Sequence, residues 1–235
     1  MIKIIEFAGL PATAKTSTIA ILEDYFTKNG ISYKLIKPSS FYPPFSWKST
    51  LGAIVMSIRN IFRAPVLSFL LVSYLLKHHS ISTRFFKLSL IYLQYHVNWF
   101  LISRNLHMLP RNISVYLLDG SPFNLLNDID IDLNFLAKDI LKYCPPIAAE
   151  RILVCSITNP VRSYSLMTKR AHQIIEKYIY RDHKNWENIN HKYLMIPKML
   201  REFSRDDIRV VHIDLLEVSL DQLVKRLDVN EIKMT

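Results

Sequence analysis

Phe7-Ala8-Gly9-Leu10-Pro11-Ala12-Thr13-Ala14-Lys15-Thr16 is the stretch whose reading decides the fold. An apolar run, Ile2 to Phe7, precedes it and reads as a buried strand. Ser17 to Phe26 follows and reads as a helix. A strand, a short loop and a Lys-Thr pair opening a helix form the setting of a phosphate-binding loop, whose pattern is G-x-x-x-x-G-K-[ST]. Gly9, Lys15 and Thr16 stand in register with that pattern, and Ala14 stands where its last glycine belongs.

Each residue type in such a loop answers a separate need. Backbone amides converge on phosphate oxygens, and the helix N-terminus adds a favourable dipole. Lysine carries a mobile charge to the β- and γ-phosphates, and the hydroxyl of Ser or Thr reaches Mg²⁺. On this reading Gly9, Leu10, Pro11, Ala12, Thr13, Ala14, Lys15, Thr16 and Ser17 are the candidate cofactor-binding residues. Ala14 adds one methyl to the loop. The plainer alternative is an ordinary Gly-Leu-Pro turn followed by a surface lysine.

Going outward, 15–29 reads as the first helix, stopped at Asn29-Gly30, and Tyr33 to Lys37 as a second strand closed by Pro38. This βαβ opening predicts a parallel sheet with helices on its faces. An aromatic and proline-rich loop occupies 39–49, and two long helical stretches are expected at about 50–78 and 84–108. The first contains the apolar segment Ala64 to Leu76, shorter than the ~18–20 residues of a membrane span. It reads as a buried core helix or, alternatively, as a membrane-surface contact. In the second, Leu88, Ile91, Tyr92, Tyr95, Trp99 and Ile102 fall on one face expected to meet the core. Lys87, Gln94, Asn98 and Asn105 fall on another stripe, solvated or lining a cleft.

Ser114 to Leu118 reads as a strand that ends in Asp119-Gly120-Ser121-Pro122. Ligands of open parallel sheets bind at the carboxyl ends of the strands, so Asp119 is the second candidate residue. An Asp there serves equally well as a helix cap or a turn former. A helix is expected over 123–143, a strand over Arg151 to Ile157, and a helix from Asn159-Pro160 to about Tyr178. The segment 179–193 lacks clear periodicity, and 194–203 reads as a short helix interrupted near Pro197. Arg209 to Ile213 is the last strand and Leu220 to Leu227 the last helix. The expected fold class is α/β, with three layers and a five-stranded parallel sheet.

Composition narrows the partners. The chain has 235 residues, half of them hydrophobic, and only four glycines, which excludes a repetitive or low-complexity chain. One domain spanning 1–235 is expected. A formal net charge of +10 favours anionic partners: nucleotides, phosphorylated metabolites, nucleic acid or an acidic membrane surface. Nucleic acid is permitted but not favoured, because no aromatic-basic motif of an RNA reader occurs. Cys144 and Cys155 suit a reducing compartment, and no Cys/His spacing resembles a zinc site. With no signal-peptide layout before the loop, a cytoplasmic protein is expected.

With the loop, the acid after the third strand and the basic helix after the fourth in place, the chain resembles the P-loop kinases of the nucleoside/nucleotide kinase group, such as thymidylate kinase and the deoxynucleoside kinases. The resemblance runs through most of 1–228 in the order of elements. It implies a P-loop NTPase-like fold with strand order 2-3-1-4-5, an ATP·Mg²⁺ donor, a helical insertion after strand 2 at 38–112 forming the acceptor region, and a lid-like region at 160–193. Lys15 and Thr16 match the phosphate-binding lysine and the metal-binding hydroxyl. Asp119 matches the acid that activates the acceptor or orients the metal, so Thr16 and Asp119 are the candidate metal ligands. Gly120 replaces the arginine those families carry there. Gln94 matches a base-reading glutamine. Arg170 takes the second place of a lid Arg-x-x-x-Arg pattern whose first place holds Leu166, with Arg162 or Lys169 available to compensate.

Arg59 and Arg63 are four residues apart, share a helical face, and are candidates for clamping an anionic acceptor or form a solvated basic patch. The resulting expectation is a kinase that moves the γ-phosphate of ATP to a nucleoside, nucleotide or sugar-type acceptor, with Lys15, Asp119 and Arg170 as catalytic residues. Ala14, Gly120 and Leu166 depart from the family pattern separately. They leave two alternatives: a catalytically degenerate nucleotide-binding or interaction protein, and a sulfotransferase-like P-loop enzyme.

Overall fold

A computed structural model of the chain describes residues 2–10, 13–37, 62, 65–66, 68–69, 73, 97, 99–127, 141, 146–169 and 183–229. Five strands form one sheet: β1 (Lys3–Gly9), β2 (Tyr33–Ile36), β3 (Val115–Leu118), β4 (Glu150–Ser156) and β5 (Ile208–Ile213). All neighbours pair in parallel, in the order β2-β3-β1-β4-β5. The helices that bear on the site are α1 (Lys15–Lys28), α2 (Pro160–Lys169), α3 (His183–Glu202) and α4 (Leu220–Arg226).

Side-chain alternation explains the layers. Ile5 and Phe7 of β1, Val115 and Leu117 of β3, and Ile152 and Val154 of β4 pack with Ile19, Leu22 and Phe26 of α1 and with Leu223 and Val224 of α4. Ile4, Tyr116 and Leu118 face the other way, against Trp99, Ile102 and Leu106. Every residue of β1 is buried, as expected of a central parallel strand covered on both faces. Trp99 and Ile102 thus join the core, as their helical spacing predicted. The α-helical residues of this stretch end at Arg104 and pass into a 3₁₀ turn, Leu106–Met108, rather than continuing to 108 as α-helix.

Local chemistry sets several boundaries. Asn159 Oδ1 accepts from the amides of Val161 and Arg162, with Pro160 at the first helical position, so α2 starts where the sequence said it would. Ser219 and Gln222 close a reciprocal capping box on α4. Two expectations are corrected. The segment after Pro122 begins as a 3₁₀ helix, Pro122–Asn127, not as an α-helix. The interrupted short helix at 194–203 is instead the end of α3, which runs through Pro197 from His183. A proline cannot donate to the carbonyl four residues before it. Here that carbonyl belongs to Tyr193, and His212 Nε2 from β5 lies 3.0 Å from it, supplying the missing donor.

Candidate functional site

The carboxyl ends of β1, β3 and β4 meet where the loop after Gly9 turns into α1. Gly9 pairs with Ser156 of β4 and has φ +131°. A Cβ at residue 9 would stand 2.7 Å from the Ser156 carbonyl oxygen, so the close approach of the two strands requires glycine. Thr13 is buried, donates from Oγ1 to the Leu10 carbonyl at 2.8 Å, and its own carbonyl accepts from Ser156 Oγ at 3.4 Å. Pro11 and Ala12 lie outside the described residues.

Ala14 has φ 60° and ψ 12°, the left-handed conformation, and its carbonyl accepts the first bond of α1 from Thr18 at 2.8 Å. This conformation is the physical reason for a glycine at that place, since a Cβ costs roughly 1–2 kcal/mol there. The methyl itself packs against the core cluster beneath α1. The substitution therefore strains the backbone and turns its added carbon to the hydrophobic side.

Lys15 folds back on its own loop. Its Nζ donates to the carbonyls of Gly9, at 2.9 Å, and Leu10, and lies 3.2 Å from Thr13 Oγ1. Thr16 and Ser17 are exposed at the first turn of α1, where helix amides lack an intrahelical acceptor. Thr16 Oγ1 stands 3.5 Å from Asp119 Oδ1. Two residues 103 positions apart are thus brought together at the sheet edge, one hydroxyl and one carboxylate.

The turn that carries Asp119 is fastened from several sides. The Asp119 amide donates to Ile36 of β2 at 3.1 Å, and Gly120 closes a tight turn onto the Leu118 carbonyl at 2.8 Å. Ser121 Oγ donates to Glu6 Oε2 at 2.9 Å and accepts from the Phe123 amide at 3.3 Å. Asn124 Oδ1 accepts from the Gly9 amide at 3.3 Å, linking the acid turn to the phosphate loop. Tyr193 Oη of α3 donates to the Phe123 carbonyl at 3.2 Å. Gly120 has φ +142°, and a Cβ on it would lie 2.5 Å from the Trp99 indole. The Trp99 ring occupies the space that a side chain at 120 would need.

Sequence reasoning missed the support under this turn. Glu6 and Arg151 are fully buried and ion-paired through Arg151 Nε and Glu6 Oε1, and Arg151 Nη2 donates to Ser103 Oγ at 2.8 Å. Attraction within a buried pair offsets its desolvation only with good geometry and further hydrogen bonds, and Ser103 and Ser121 each add one. The available signal was a charged residue inside each of two apolar strands, Glu6 between Ile5 and Phe7 and Arg151 before Ile152. Cys155 is buried nearby, and burial together with the Glu6 charge pushes its thiol far above the usual range.

Arg162 lies on α2 with its side chain exposed. Its guanidinium pairs with Glu217 at 2.9 Å, in the loop after β5, with both side chains exposed. Arg59, Arg63, Gln94 and Arg170 lie outside the described residues, as does most of the expected helical insertion.

A β2-β3-β1-β4-β5 parallel sheet, a lysine-bearing loop between β1 and α1, and an acid at the end of β3 facing the Thr of that loop make this an α/β protein with a P-loop NTPase-like fold. No protein-family model matches the chain, and no curated protein matches it either. Solved structures similar to it include a thymidylate kinase from Candida albicans, 15% identical, covering 97% of this chain and 90% of that one with a TM-score of 0.49. Another is a deoxyadenosine kinase from M. mycoides with bound dATP, 14% identical, covering 98% and 99% with a TM-score of 0.46. A third is a structure of the PezAT toxin–antitoxin system of Streptococcus pneumoniae, 16% identical, covering 97% and 76% with a TM-score of 0.39.

Proposed function

We propose that this chain is an ATP-dependent phosphotransferase of the nucleoside/nucleotide kinase kind, acting on a small-molecule acceptor. The observation that carries the reading is the approach of Thr16 Oγ1 to Asp119 Oδ1 beside Lys15. A hydroxyl and a carboxylate at that separation are hard oxygen donors of the sort Mg²⁺ takes, with water and substrate phosphates supplying the remainder. When bound, Mg²⁺ would neutralise charge on the β- and γ-phosphate oxygens.

Lys15 would release its loop carbonyls and move to the donor phosphates, while the first-turn amides of α1 face the anion. The acceptor oxygen would bond to the γ-phosphorus as the β–γ bridging bond breaks and ADP leaves. The acceptor proton would pass to Asp119. Arg170 would offset charge on the group in transit, and Arg59, Arg63 and Gln94 would hold the acceptor. Arg162 would contribute only by leaving Glu217, an exposed pair of the kind worth at most about 1 kcal/mol. The single-domain organisation, with 38–112 as acceptor region and 160–193 as lid, belongs to the same proposal.

The test is ADP release from ATP·Mg²⁺ across a panel of nucleosides, nucleotides and sugars, run beside calorimetric titration of ATP. Acceptor-stimulated turnover that is lost in Lys15→Ala and reduced in Asp119→Asn supports it. A Lys15→Ala variant that binds ATP as tightly as the parent overturns it. A second reading, a nucleotide-binding protein without turnover, is favoured by one observation: Trp99 fills the space beside Gly120 where the family's arginine would sit. ATP binding without release of ADP under any acceptor would select it.

A further inference from the structure

Helical residues 62, 65, 66, 69 and 73 are all exposed, whereas Ser68 is buried. Phe62 is 82% exposed, Phe69 72% and Val66 43%. Val66 lies four residues after Phe62 and three before Phe69, so the three share one stripe of helix surface. Two phenylalanines exposed to this degree on one stripe are a marked apolar feature, of the kind that signals an interaction site.

The sequence around this stripe is charged in one sense only. Between Asp24 and Asp119 there is no Asp or Glu, while eleven Lys and Arg occur there. That stretch accounts for the whole excess behind the net charge of +10, and the rest of the chain is nearly balanced. An apolar aromatic stripe set in an acid-free, basic stretch fits a surface that offers both hydrocarbon and negative charge.

We propose that the Phe62–Val66–Phe69 face docks on an anionic bilayer. The phenylalanines would enter the boundary between headgroups and acyl chains, and the Lys and Arg of this stretch of sequence would supply attraction to lipid phosphates and carboxylates. The helix lies on the membrane and does not span it. The uncharged run 64–76 would extend only about 20 Å as a helix, short of the ~30 Å hydrocarbon core, and among the described residues no helix is long and apolar enough to cross a membrane. Two other partners fit less well. A second copy of the chain would bring two acid-free basic stretches together, and a polyanion such as RNA would leave the Phe62 and Phe69 side chains without an apolar partner. This inference does not rest on the kinase reading.

The test is co-sedimentation of the full chain with vesicles of phosphatidylcholine alone and with roughly one-third phosphatidylserine added. Pelleting is expected with the anionic vesicles, weakening with salt, and absent with the neutral ones. Phe62→Ser/Phe69→Ser should weaken it about 100-fold or more, since burying each phenylalanine contributes about tenfold or more, at an unchanged melting temperature. If the double variant melts lower, a Phe62→Trp variant decides: a blue shift in its added emission on anionic vesicles supports docking, and no shift overturns it. Absence of pelleting, or pelleting equal in the double variant, also overturns it. So does binding to polyuridylate that exceeds binding to vesicles, or concentration-dependent self-association that the double variant abolishes.

Discussion

The two ends of the sheet are built on opposite principles. At the amino end, Lys3, Glu150, Arg209 and Asp228 form a charge-matched cluster. Lys3 Nζ is 3.0 Å from Glu150, while Arg209 is 3.1 Å from Glu150 and 2.8 Å from Asp228. Lys3 and Arg209 also donate to the carbonyls of Asp228, Arg226 and Leu227, which closes the end of α4. At the carboxyl end, Lys15 rests on carbonyl and hydroxyl oxygens, Asp119 faces a hydroxyl, and the backbone takes positive φ at Gly9, Ala14 and Gly120. One end spends its charges on holding the fold. The other keeps strained backbone and a lysine held on its own loop at the edge where ligands of parallel sheets bind.

The pair beneath the acid turn gives the sharpest test of that contrast. Arg151→Ala would leave Glu6 buried without its counter-ion, at a cost of about 3–5 kcal/mol. Arg209→Ala, in the partly exposed amino-end cluster, should cost only about 1 kcal/mol. Denaturant titration of both variants checks this, and equal losses would erase the distinction between a buried support and a surface clamp.

Next comes the division between reaction and stability. If the chain is the proposed phosphotransferase, Lys15→Ala should lower turnover by about 100-fold or more, the scale of losing one well-placed charge stabiliser, with little change in melting temperature. Glu150→Gln should do the reverse, leaving turnover intact while removing about 1 kcal/mol of stability. A Glu150→Gln variant with impaired turnover and normal melting would show that the amino end is not merely structural.

A smaller effect isolates the strain. Ala14→Gly relieves a left-handed alanine worth roughly 1 kcal/mol, offset in part by glycine's greater unfolded-state freedom and the lost methyl contact. A rise in melting temperature of up to about 2–4 °C is expected, with ATP binding unchanged or tighter. A fall in melting temperature would mean that the methyl's packing outweighs its conformational cost.

What was legible in the sequence follows from the range of the interaction. The start of α2 at Asn159-Pro160, the stop of α1 at Asn29-Gly30 and the buried run of β1 depend on residues a few positions apart, and they read correctly. The continuity of α3 through Pro197 did not, because the donor to Tyr193 comes from His212 on another strand. Gly120 read as a replaced arginine, and the Trp99 ring that a side chain there would strike is 21 positions away in sequence, out of reach of local pattern. The Thr16–Asp119 approach was anticipated only through the family resemblance; composition and periodicity gave no sign of it. Arg162 falls on a helix as its position implied, while its partner Glu217, 55 residues further on, left no local trace in the sequence.

The smallest expected effect concerns acid and the amino end alone. Asp207 stands just before β5 and receives Arg205 Nε at 2.6 Å and Nη2 at 2.7 Å, a two-pronged pair with Arg205 largely buried. The hydrogen bonds from Arg205 hold its carboxyl below the ordinary 3.8, against an opposing push from burial. A carboxyl lowered in the folded state stabilises the fold above its unfolded value, and that contribution disappears as pH falls through the folded value. Stability should therefore decline from about pH 4 downward more steeply in the parent than in Asp207→Asn, which has no proton to take up. Unfolding free energies at pH 5 and pH 3 would reveal the difference. If the two slopes coincide, the Arg205–Asp207 pair adds nothing to acid stability, and the charge-matching of the amino end would rest on the Lys3–Glu150–Arg209–Asp228 cluster.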